Sequence, residues 1–410
     1  MKPQKLIVIG GGAAGFFCAV NAARLNPALK VILLEKSAKL LSKIKVSGGG
    51  RCNTTHACFE IPLLVKKYPR GEQFLKKAFH LFDTNNTIEW FAERGVELHT
   101  ESDGRMFPVS NNSQTIIDCL LKEADKYKVE IVLQTEVQNF EVKDHQFELN
   151  ITGSKKMIAD YICIACGGYP KTEMFQWLIT TGHSINTPVP SLFTFNIPKH
   201  PITELMGLSV SNAKVKIAGT KLIEEGPLLI THWGLSGPVI LKLSAWGARQ
   251  LAEMNYQFSI LVNWLGDTNE AALRQDWAGY REQYAANKIG NKQPFELPNR
   301  LWLFLLSIAG INSDTRWGEL KSAEQNKLMQ LLTNHSFDVK GKTTFKEEFV
   351  TAGGIQLNEI NPQTMESKLM PNLFFAGEIM DVDGVTGGFN FQNAWTSGWI
   401  AANTIALRII

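Results

Sequence analysis

The sequence has almost no charge imbalance. Its 42 lysine and arginine residues are nearly matched by 39 aspartate and glutamate residues, so the formal net charge is only +3 over 410 residues. A balance this close gives no electrostatic reason to expect a nucleic-acid partner or an anionic membrane surface. We therefore expect a small-molecule substrate, no nucleic acid and no membrane as partners, while the oligomeric state stays open.

Long apolar runs, a secretory signal and a cysteine framework are also missing. The most apolar run beyond the first strand, residues 301–311, is well short of the roughly 20 residues that a membrane helix needs. The six cysteines are scattered between Cys18 and Cys166 without the spacing of a disulfide framework or a metal site. The first residues lead into an apolar strand and not into a signal peptide. These absences predict a cytoplasmic protein without a bound metal.

Both ends of the chain carry the pattern of a dinucleotide-binding domain. An apolar strand at residues 6–9, a helix at 13–25 and a second apolar strand at 31–34 form a β-α-β unit, which implies a parallel sheet. From about residue 188, prolines separate short alternating segments that are typical of an antiparallel module. Helical patterns follow, and the texture of the start returns after residue 349. We therefore predict an α/β fold in which one domain, made from both chain ends, is interrupted by an inserted module.

The most informative motif lies directly after the first strand. Gly10, Gly12 and Gly15 match G-x-G-x-x-G at the opening of a helix, which is the context that this motif requires. The first glycine permits a tight turn, the second lets a pyrophosphate approach the backbone, and the third lets helix and strand pack closely. Ala13 and Ala14 belong to the same helix start, whose N–H groups and dipole favour phosphate.

Glu35 indicates which dinucleotide fits this motif. It ends the second strand, about 20 residues beyond Gly15, where an acidic side chain can bind ribose hydroxyls. Its carboxylate would repel a 2′-phosphate, so NADP is disfavoured as the ligand of this site.

A second glycine-rich segment near the C-terminus favours FAD over NAD. Glu378 follows an apolar strand, and Asp383 leads into Gly387 and Gly388, which open a helix-like run. A carboxylate at a strand end can bind ribityl hydroxyls. A glycine-rich helix start can aim N–H groups at the pyrimidine edge of a flavin.

A third glycine cluster occupies residues 47–53, with the sequence SGGGRCN. Gly50 and its neighbours allow a flat or anionic group to approach the backbone, and Arg51 adds positive charge beside a pyrophosphate. Arg51 would also lower the pKa of the adjacent Cys52. A packed free cysteine is the alternative for Cys52, and a surface loop is the alternative for the cluster.

Stretches spread over nearly the whole chain resemble one bacterial protein family. They are residues 9–15, 47–53, 103–108, 231–238, 351–354, 364–368 and 375–393, in the family's order. On these motifs the chain resembles the BaiN/YhiN-like family of NAD(P)/FAD-dependent oxidoreductases, which includes aminoacetone-oxidase-like flavoproteins. The segments SGGGRCN and TMESK are the most distinctive of them.

The resemblance implies an α/β fold with an FAD/NAD(P)-binding Rossmann-like domain split across both chain ends, an inserted β-rich module and a small helical domain. The corresponding boundaries are residues 1–187, 188–265, 266–345 and 346–410. Two departures separate this chain from the family pattern: His56 stands where the family usually has asparagine, and residues 169–174 replace a longer, glycine-containing turn. The resemblance therefore does not assign a substrate.

The motifs and the resemblance together predict FAD as the cofactor, with NAD(P)H as a candidate transient electron donor. Backbone contacts of Val137 and Ala165 with FAD follow from the resemblance alone. The predicted cofactor-binding residues are Gly10, Gly12, Ala13, Ala14, Gly15, Glu35, Lys36, Gly50, Arg51, Cys52, Asn53, Val137, Ala165, Gly167, Gly377, Glu378, Asp383, Gly387, Gly388, Phe389 and Asn390.

Catalytic residues are only weakly indicated. His232 lies before a predicted helix with Ser236 as its N-cap, where a histidine could protonate a substrate. Arg105 could anchor an anion, and Cys52 is the third candidate. Each has a structural alternative: a satisfied loop histidine, a solvated arginine and a packed cysteine.

We interpret the chain as an FAD-dependent oxidoreductase whose flavin exchanges hydride with a small organic substrate, with NAD(P)H, or with both. A second intact G-x-G-x-x-G is missing, so we expect no dedicated NAD(P)H domain. Two alternatives stay open. One is a flavin oxidase that acts on a small amine and uses oxygen, and the other is a binding protein in which FAD is structural.

Overall fold

The structure is a computed structural model that describes residues 3–344 and 350–408. Helices α1 to α12 span, in chain order, Ala13–Leu25, Ser42–Gly50, Ile61–Leu64, Glu72–Phe79, Thr84–Ala92, Gln114–Lys126, Gln176–Ile179, Pro238–Glu253, Glu270–Gln283, Asn299–Ala309, Ser322–Thr333 and Phe389–Leu407. Strands β1 to β20 span Lys5–Ile9, Lys30–Leu34, Thr55–His56, Leu98–Thr100, Arg105–Pro108, Glu130–Val132, Val137–Lys143, Gln146–Ile151, Lys155–Ala159, Tyr161–Ile164, Ile185–Ser191, Thr194–Asn196, Ser209–Ile217, Ile223–Thr231, Gly234–Ser236, Gln257–Asn263, His335–Lys340, Lys342–Thr343, Val350–Ile355 and Leu373–Phe375.

The chain forms two compact units. Among the described residues, the first unit comprises residues 3–191 and 350–408, and the second comprises residues 192–344. The predicted fold class, an α/β fold with a Rossmann-like domain made from both chain ends, is confirmed. The four finer segment boundaries stay predictions, and those at residues 1, 345, 346 and 410 lie outside the described residues.

A parallel five-stranded sheet is the centre of the first unit. Its strand order is β20-β10-β1-β2-β6, so β1 lies in the middle with β10 and β2 on its two sides. The inner residues of β1, β2 and β10 are buried because these strands are apolar on both faces. Helix α12 packs along α1, which joins the two ends of the chain. The carboxyl ends of β1, β2, β10 and β20 therefore lie along one edge of the sheet.

Three small antiparallel sheets complete the first unit. They are β3-β5-β4, β7-β8-β9 and the pair β11-β19. In the first of them, Thr55 and His56 lie opposite Met106 and Arg105. This pairing brings the predicted SGGGRCN segment next to the residues that follow Asp103.

The second unit contains a mostly antiparallel sheet covered by helices. The strand order is β17-β16-β13-β14-β15-β12-β18. Apolar residues of these strands and of helices α8 to α11, including Trp264, Trp302 and Trp317, form one buried cluster. Helix α8 begins at Pro238 after Gly237, and Ser236 ends strand β15. The predicted Ser236 cap is therefore wrong, because the backbone at that residue is still paired in the sheet.

A search of the described helices finds none that combines the length and the apolar character needed to cross a bilayer.

Candidate flavin site

The turn after β1 has the geometry that the glycine motif predicts. A Cβ on Gly10 would lie 2.4 Å from the carbonyl oxygen of Ala165, and one on Gly15 would lie 1.9 Å from the carbonyl oxygen of Gly10. Both glycines are therefore needed for close packing of the strand, turn and helix. A Cβ on Gly12 would have no atom within 4 Å. The space at Gly12 is open, as a bound pyrophosphate would require.

Helix α1 begins beside this open space without a side-chain cap. The N–H groups of its first turn, at Ala13, Ala14 and Gly15, have no acceptor from within the helix. Uncapped N–H groups and the positive end of the helix dipole suit a phosphate group.

Glu35 holds the turn from the neighbouring strand. Its Oε2 accepts a 2.8 Å hydrogen bond from the N–H of Gly11, and its Oε1 accepts one of 2.8 Å from Ser37. The carbonyl of Glu35 accepts a hydrogen bond from Thr135, two residues before Val137 at the start of β7. Glu35 is thus fixed at the edge where an adenosine ribose would lie, while the next residue, Lys36, is exposed.

The carboxyl ends of β10 and β20 meet the same turn. The N–H of Ala165 donates to Ile9 of β1, and a Cβ on Gly377 would lie 2.9 Å from the Cβ of Ala14. A Cβ on Gly167, which follows β10, would meet no atom within 4 Å. Strand ends from both halves of the chain therefore surround the start of α1.

Glu378 is tied to two segments that the sequence did not connect. Its Oε1 accepts a 2.8 Å hydrogen bond from the N–H of Thr351, and its Oε2 forms a 2.7 Å ion pair with Lys43. The Oγ1 of Thr351 is buried without a hydrogen-bond partner in the described part of the chain, and a Cβ on Gly168 would lie 2.7 Å from it. Gly168 is therefore closely packed against Thr351, and an orphaned buried hydroxyl at this position fits a site that receives a polar ligand.

The start of α12 provides a second uncapped helix end. Gly388 is the N-cap and supplies no side-chain cap. Its N–H donates to the amide oxygen of Asn53 at 3.0 Å, while the Asn53 amide nitrogen donates to the carbonyl of Thr55 at 3.0 Å. Asn53 therefore joins the SGGGRCN segment to the helix start, and the N–H groups of Phe389 and Asn390 have no acceptor from within the helix.

The side chains around that helix start are engaged in holding it. The amide of Asn390 both accepts from and donates to the backbone of Gly384, at 2.8 and 3.0 Å. Nδ1 of His56 donates to the carbonyl of Gly387 at 2.9 Å, and its ring lies 4.5 Å from that of Phe389. Backbone groups of α12, and not the Asn390 side chain, are therefore those that can face a flavin ring.

Arg51 and Arg105 share acidic partners. Arg51 pairs with Glu101 at 2.6 Å, and Arg105 pairs with Glu101 at 2.8 Å and with Asp103 at 2.7 Å. The two guanidinium groups lie 4.0 and 5.5 Å from the centre of the Phe107 ring. Their charges are compensated locally, so neither arginine is the uncompensated cation that the sequence suggested.

The lowered pKa that the adjacent Arg51 suggested for Cys52 is wrong, and the thiol is packed as in the alternative. The thiol is fully buried, and burial raises its pKa to about 11, against the opposing effect of hydrogen bonds from Thr54 and Ser47. The guanidinium of Arg51 lies over Phe107 instead of beside the sulfur. Cys52 is a packed cysteine, whose left-handed backbone shapes the glycine-rich loop that contains Gly50.

Asp383 lies behind the helix start. It is fully buried and forms an ion pair with Arg70, and it accepts a 2.7 Å hydrogen bond from Ser191. Its carboxylate thus fixes the loop before α12. The third catalytic candidate, His232, lies in the second unit at the exposed turn between β14 and β15, with its ring 4.1 Å from that of Trp233.

The comparisons agree with this geometry. The family described as HI0933-like protein Rossmann domain matches residues 4–404. The chain belongs to this family. This HI0933-like protein is 31% identical to the ribosomal RNA dihydrouridine synthase of Escherichia coli over 99% of its own length and 98% of that protein. It is 27% identical to the 3-dehydro-bile acid delta(4,6)-reductase of Clostridium scindens over 99% and 100% of the two chains.

Solved structures show the same fold. The 3-ketosteroid delta1-dehydrogenase of Sterolibacterium denitrificans superposes with a TM-score of 0.52 at 12% identity, over 99% of this HI0933-like chain and 100% of the other. At 12% identity this likeness shows the fold alone. Membership of the family makes the chain an FAD-dependent oxidoreductase in the coarse sense. No cluster of three or more histidine, cysteine, aspartate or glutamate side chains suited to a metal occurs among residues 3–344 and 350–408.

Several site residues escaped the sequence analysis. Lys43 meets Glu378 and Arg70 meets Asp383 across more than 300 residues of chain, and Thr351 meets Glu378 across 27. Thr351 lies in the TAGG stretch that contributed to the resemblance, so it carried a signal. Lys43 and Arg70 belong to no recognisable motif, so the sequence around them does not indicate a role at the site.

Proposed function

We propose that this protein is an FAD-dependent reductase of carbon–carbon double bonds conjugated to a carbonyl group, and that uracil in ribosomal RNA is the first substrate to test. The open space at Gly12, beside the uncapped start of α1, carries the proposal, because it fits the pyrophosphate of FAD, and the uncapped start of α12 would receive the flavin ring. When bound, FAD supplies a carrier that accepts two electrons from a donor and delivers them as hydride to a substrate.

In this scheme the residues of the chain bind FAD and orient it. The start of α1 holds the pyrophosphate, Glu35 holds the adenosine ribose, and Glu378 with Lys43 lies on the ribityl side. The start of α12 directs N–H groups at the pyrimidine edge, where reduction places negative charge. NAD(P)H acts as the electron donor. Its binding is transient, because the chain has no second glycine fingerprint that would form a dedicated NAD(P)H site.

The choice of substrate class draws on two relatives of nearly full length. One is named as a delta(4,6)-reductase of a 3-dehydro-bile acid, and the other as a ribosomal RNA dihydrouridine synthase. Reduction of a steroid 4,6-diene next to a 3-oxo group and reduction of the uracil 5,6 double bond both add hydride to an alkene conjugated with a carbonyl. Uracil comes first because a second ribosomal RNA dihydrouridine synthase, from Haemophilus influenzae, is 28% identical over 98% of both chains. This departs from our expectation of no nucleic-acid partner, which rested on net charge.

An anaerobic two-step experiment tests the proposal. NADH or NADPH is added to the flavin-loaded protein, and loss of the yellow flavin absorbance is recorded. A ribosomal RNA transcript or a 3-oxo-4,6-diene bile acid is then added, and we expect return of the absorbance and a product with two additional hydrogens by mass spectrometry. The Gly12→Val variant is the control for flavin dependence.

The two alternatives give different outcomes. Bleaching by a small amine and recovery only with oxygen would identify an amine oxidase. A flavin that no donor reduces would identify structural FAD. Production of dihydrouridine in an Escherichia coli strain that lacks its own relative would decide between the RNA and the bile-acid substrate.

A further inference from the structure

A lysine-rich surface lies on the segment that supports the start of α12. We call it the lysine surface, and it consists of the exposed side chains Lys66, Lys67, Lys76, Lys77 and Lys368. The first four come from the 3-10 turn that follows α3 and from α4, and the fifth comes from the C-terminal half of the chain. All five belong to the first unit.

The charges of the lysine surface are not neutralised by ion pairs. None of the five forms an ion pair with a carboxylate in residues 3–344 and 350–408. Some exposed lysines elsewhere in the first unit do, as at Lys30 with Glu130 and Lys156 with Glu148. Residues 58–80, which carry four of the five lysines, contain only two acidic side chains, Glu60 and Glu72. The lysine surface therefore keeps a positive field.

Backbone contacts attach the lysine surface to the flavin end of α12. The carbonyl of Lys67 accepts a 2.9 Å hydrogen bond from Val385, and the hydroxyl of Tyr68 donates to the carbonyl of Phe389 at 2.7 Å. The ion pair between Arg70 and Asp383 closes the same contact. A chain-like anionic ligand bound along these lysines would thus pass next to the helix start to which we assign the flavin ring.

A groove and exposed apolar side chains accompany the lysines. The groove has a volume of about 650 Å³, and its lining includes Lys77, Lys368, Phe74 and one acidic side chain, Glu72. Phe59 and Leu63 are each 49% exposed on the preceding segment. Burial raises the pKa of the neighbouring Cys58 and the charge of Lys67 opposes that rise, which places Lys67 close to this apolar part.

We propose that the lysine surface binds the sugar-phosphate backbone of a single-stranded RNA segment, and that it thereby presents one base of that segment to the flavin. Lysines without carboxylate partners, close in the chain to the exposed Phe59, suit phosphates and a stacked base. A base inside a duplex cannot reach a flavin and has to be unstacked, so a backbone site beside the flavin is what such an enzyme needs. This inference rests on the proposed reduction of uracil in ribosomal RNA.

Charge substitution tests the lysine surface directly. The probe is a fluorescent single-stranded RNA oligonucleotide of mixed sequence, and binding to the flavin-loaded protein is followed by anisotropy over a range of KCl concentrations. Lys66, Lys67, Lys76 and Lys77 are all changed to glutamine. With about 0.7 counterions released per phosphate, loss of four contacts makes the logarithmic salt dependence less steep by about 3 and weakens binding at least about tenfold at low salt.

The matched control carries the same charge change elsewhere in the first unit. It replaces Lys122, Lys128, Lys155 and Lys156 by glutamine, at exposed positions on α6, after α6 and on β9. We expect it to bind RNA like the wild type, and both variants to keep the wild-type rate of flavin reduction by NAD(P)H. Equal weakening of RNA binding in the two variants, or wild-type RNA binding in the first variant, overturns the proposal that the lysine surface binds RNA.

Failure of this inference is distinct from failure of the proposed function. Dihydrouridine formation with no RNA affinity at the lysine surface would leave the reaction intact and remove the surface. RNA binding that is lost in the first variant, without any reduction of uracil, would leave the surface and remove the reaction. Equal affinity for polyglutamate and for RNA would show a site for acidic polypeptides and overturn the choice of RNA.

Discussion

Single glycines in the turn after β1 separate ligand binding from folding. A side chain on Gly12 enters open space, and the backbone at that residue is extended with φ of −93°, which any residue adopts. We expect Gly12→Val to weaken FAD binding at least about tenfold, because the side chain occupies the pyrophosphate position, while the free energy of unfolding of the FAD-free protein changes by less than about 0.5 kcal/mol. Titration of the FAD-free protein with FAD and urea unfolding measure the two quantities.

Gly15→Val is the matched control in the same motif. Its Cβ would lie 1.9 Å from the carbonyl oxygen of Gly10, so the helix has to move away from the strand. We expect the free energy of unfolding of the FAD-free variant to fall by about 2–4 kcal/mol. Similar losses of stability in both variants would contradict the separate roles of the two glycines.

The buried pair of Arg70 and Asp383 makes a second prediction at this scale. The side chain of Arg70 is 10% exposed and that of Asp383 is 0% exposed, so removing either partner leaves the other charge uncompensated. We expect Arg70→Met or Asp383→Leu to reduce the free energy of unfolding by about 3–5 kcal/mol, and the double variant to lose clearly less than the sum. Urea unfolding of the four proteins gives the coupling. Additive losses would show that the two residues act independently.

Cys52 shows that the pKa of a side chain cannot be inferred from its neighbour in the sequence. The sequence places it next to Arg51, and adjacency suggested a lowered pKa. In the fold, the arginine turns towards Phe107 and Glu101, and the thiol turns into the core, so its pKa rises to about 11. Neighbours in sequence point in different directions wherever the backbone takes a left-handed conformation, as it does at Cys52.

At the scale of elements, the C-terminal segment completes the sheet and the site together. Strand β20 pairs with β10, and α12 packs along α1. A chain that ends at Asn372 lacks both elements and exposes the edge of β10. We therefore expect it to be insoluble or free of flavin, as judged by the absorbance of the soluble fraction.

A short deletion is the control for this truncation. Helix α12 ends at Leu407, so removal of residues 408–410 leaves it whole. We expect that protein to be soluble and yellow. A soluble chain that ends at Asn372 and carries a full complement of FAD would refute the role of the C-terminal segment.

Periodicity predicted the long elements well and the short, non-local ones poorly. Helix α1 spans residues 13–25, as the pattern indicated, and β2 spans residues 30–34 against the predicted 31–34. Strand β5, at Arg105–Pro108, was known only as a motif, because its partners β3 and β4 come from separate segments. The kink in α2 at Gly48 and Gly49, where φ is positive, has no periodic signal at all.

At the scale of the whole molecule, each unit buries a histidine that favours the neutral state. His183 lies in the first unit and His335 in the second, and burial lowers the pKa of both. For His335 the pKa falls to about 4, through burial and the nearby His200. Nδ1 of His335 accepts from Trp264, so protonation of that nitrogen would break the contact.

This arrangement predicts a loss of stability in acid. The unfolded chain binds a proton at His335 near its usual pKa of about 6.5, whereas the folded chain does so near 4, so the unfolded state gains protons first as pH falls. The contribution is fully present above about pH 6.5 and falls by up to about 3 kcal/mol towards pH 4. Urea unfolding across this range measures it. In His335→Phe the fall should be shallower, and an unchanged pH dependence would contradict the assignment to His335.

The sequence by itself determined the fold class and the turn after β1. A glycine fingerprint between a buried strand and a helix specifies that turn through the close packing at Gly10 and Gly15, so local chemistry was sufficient there. Only the tertiary structure decided the partners of the charged groups: Glu378 with Lys43, Asp383 with Arg70, and the two arginines with Glu101. Three of these four pairs join residues 50 or more positions apart in the chain, and their charges respond to distance and burial, which no local pattern encodes.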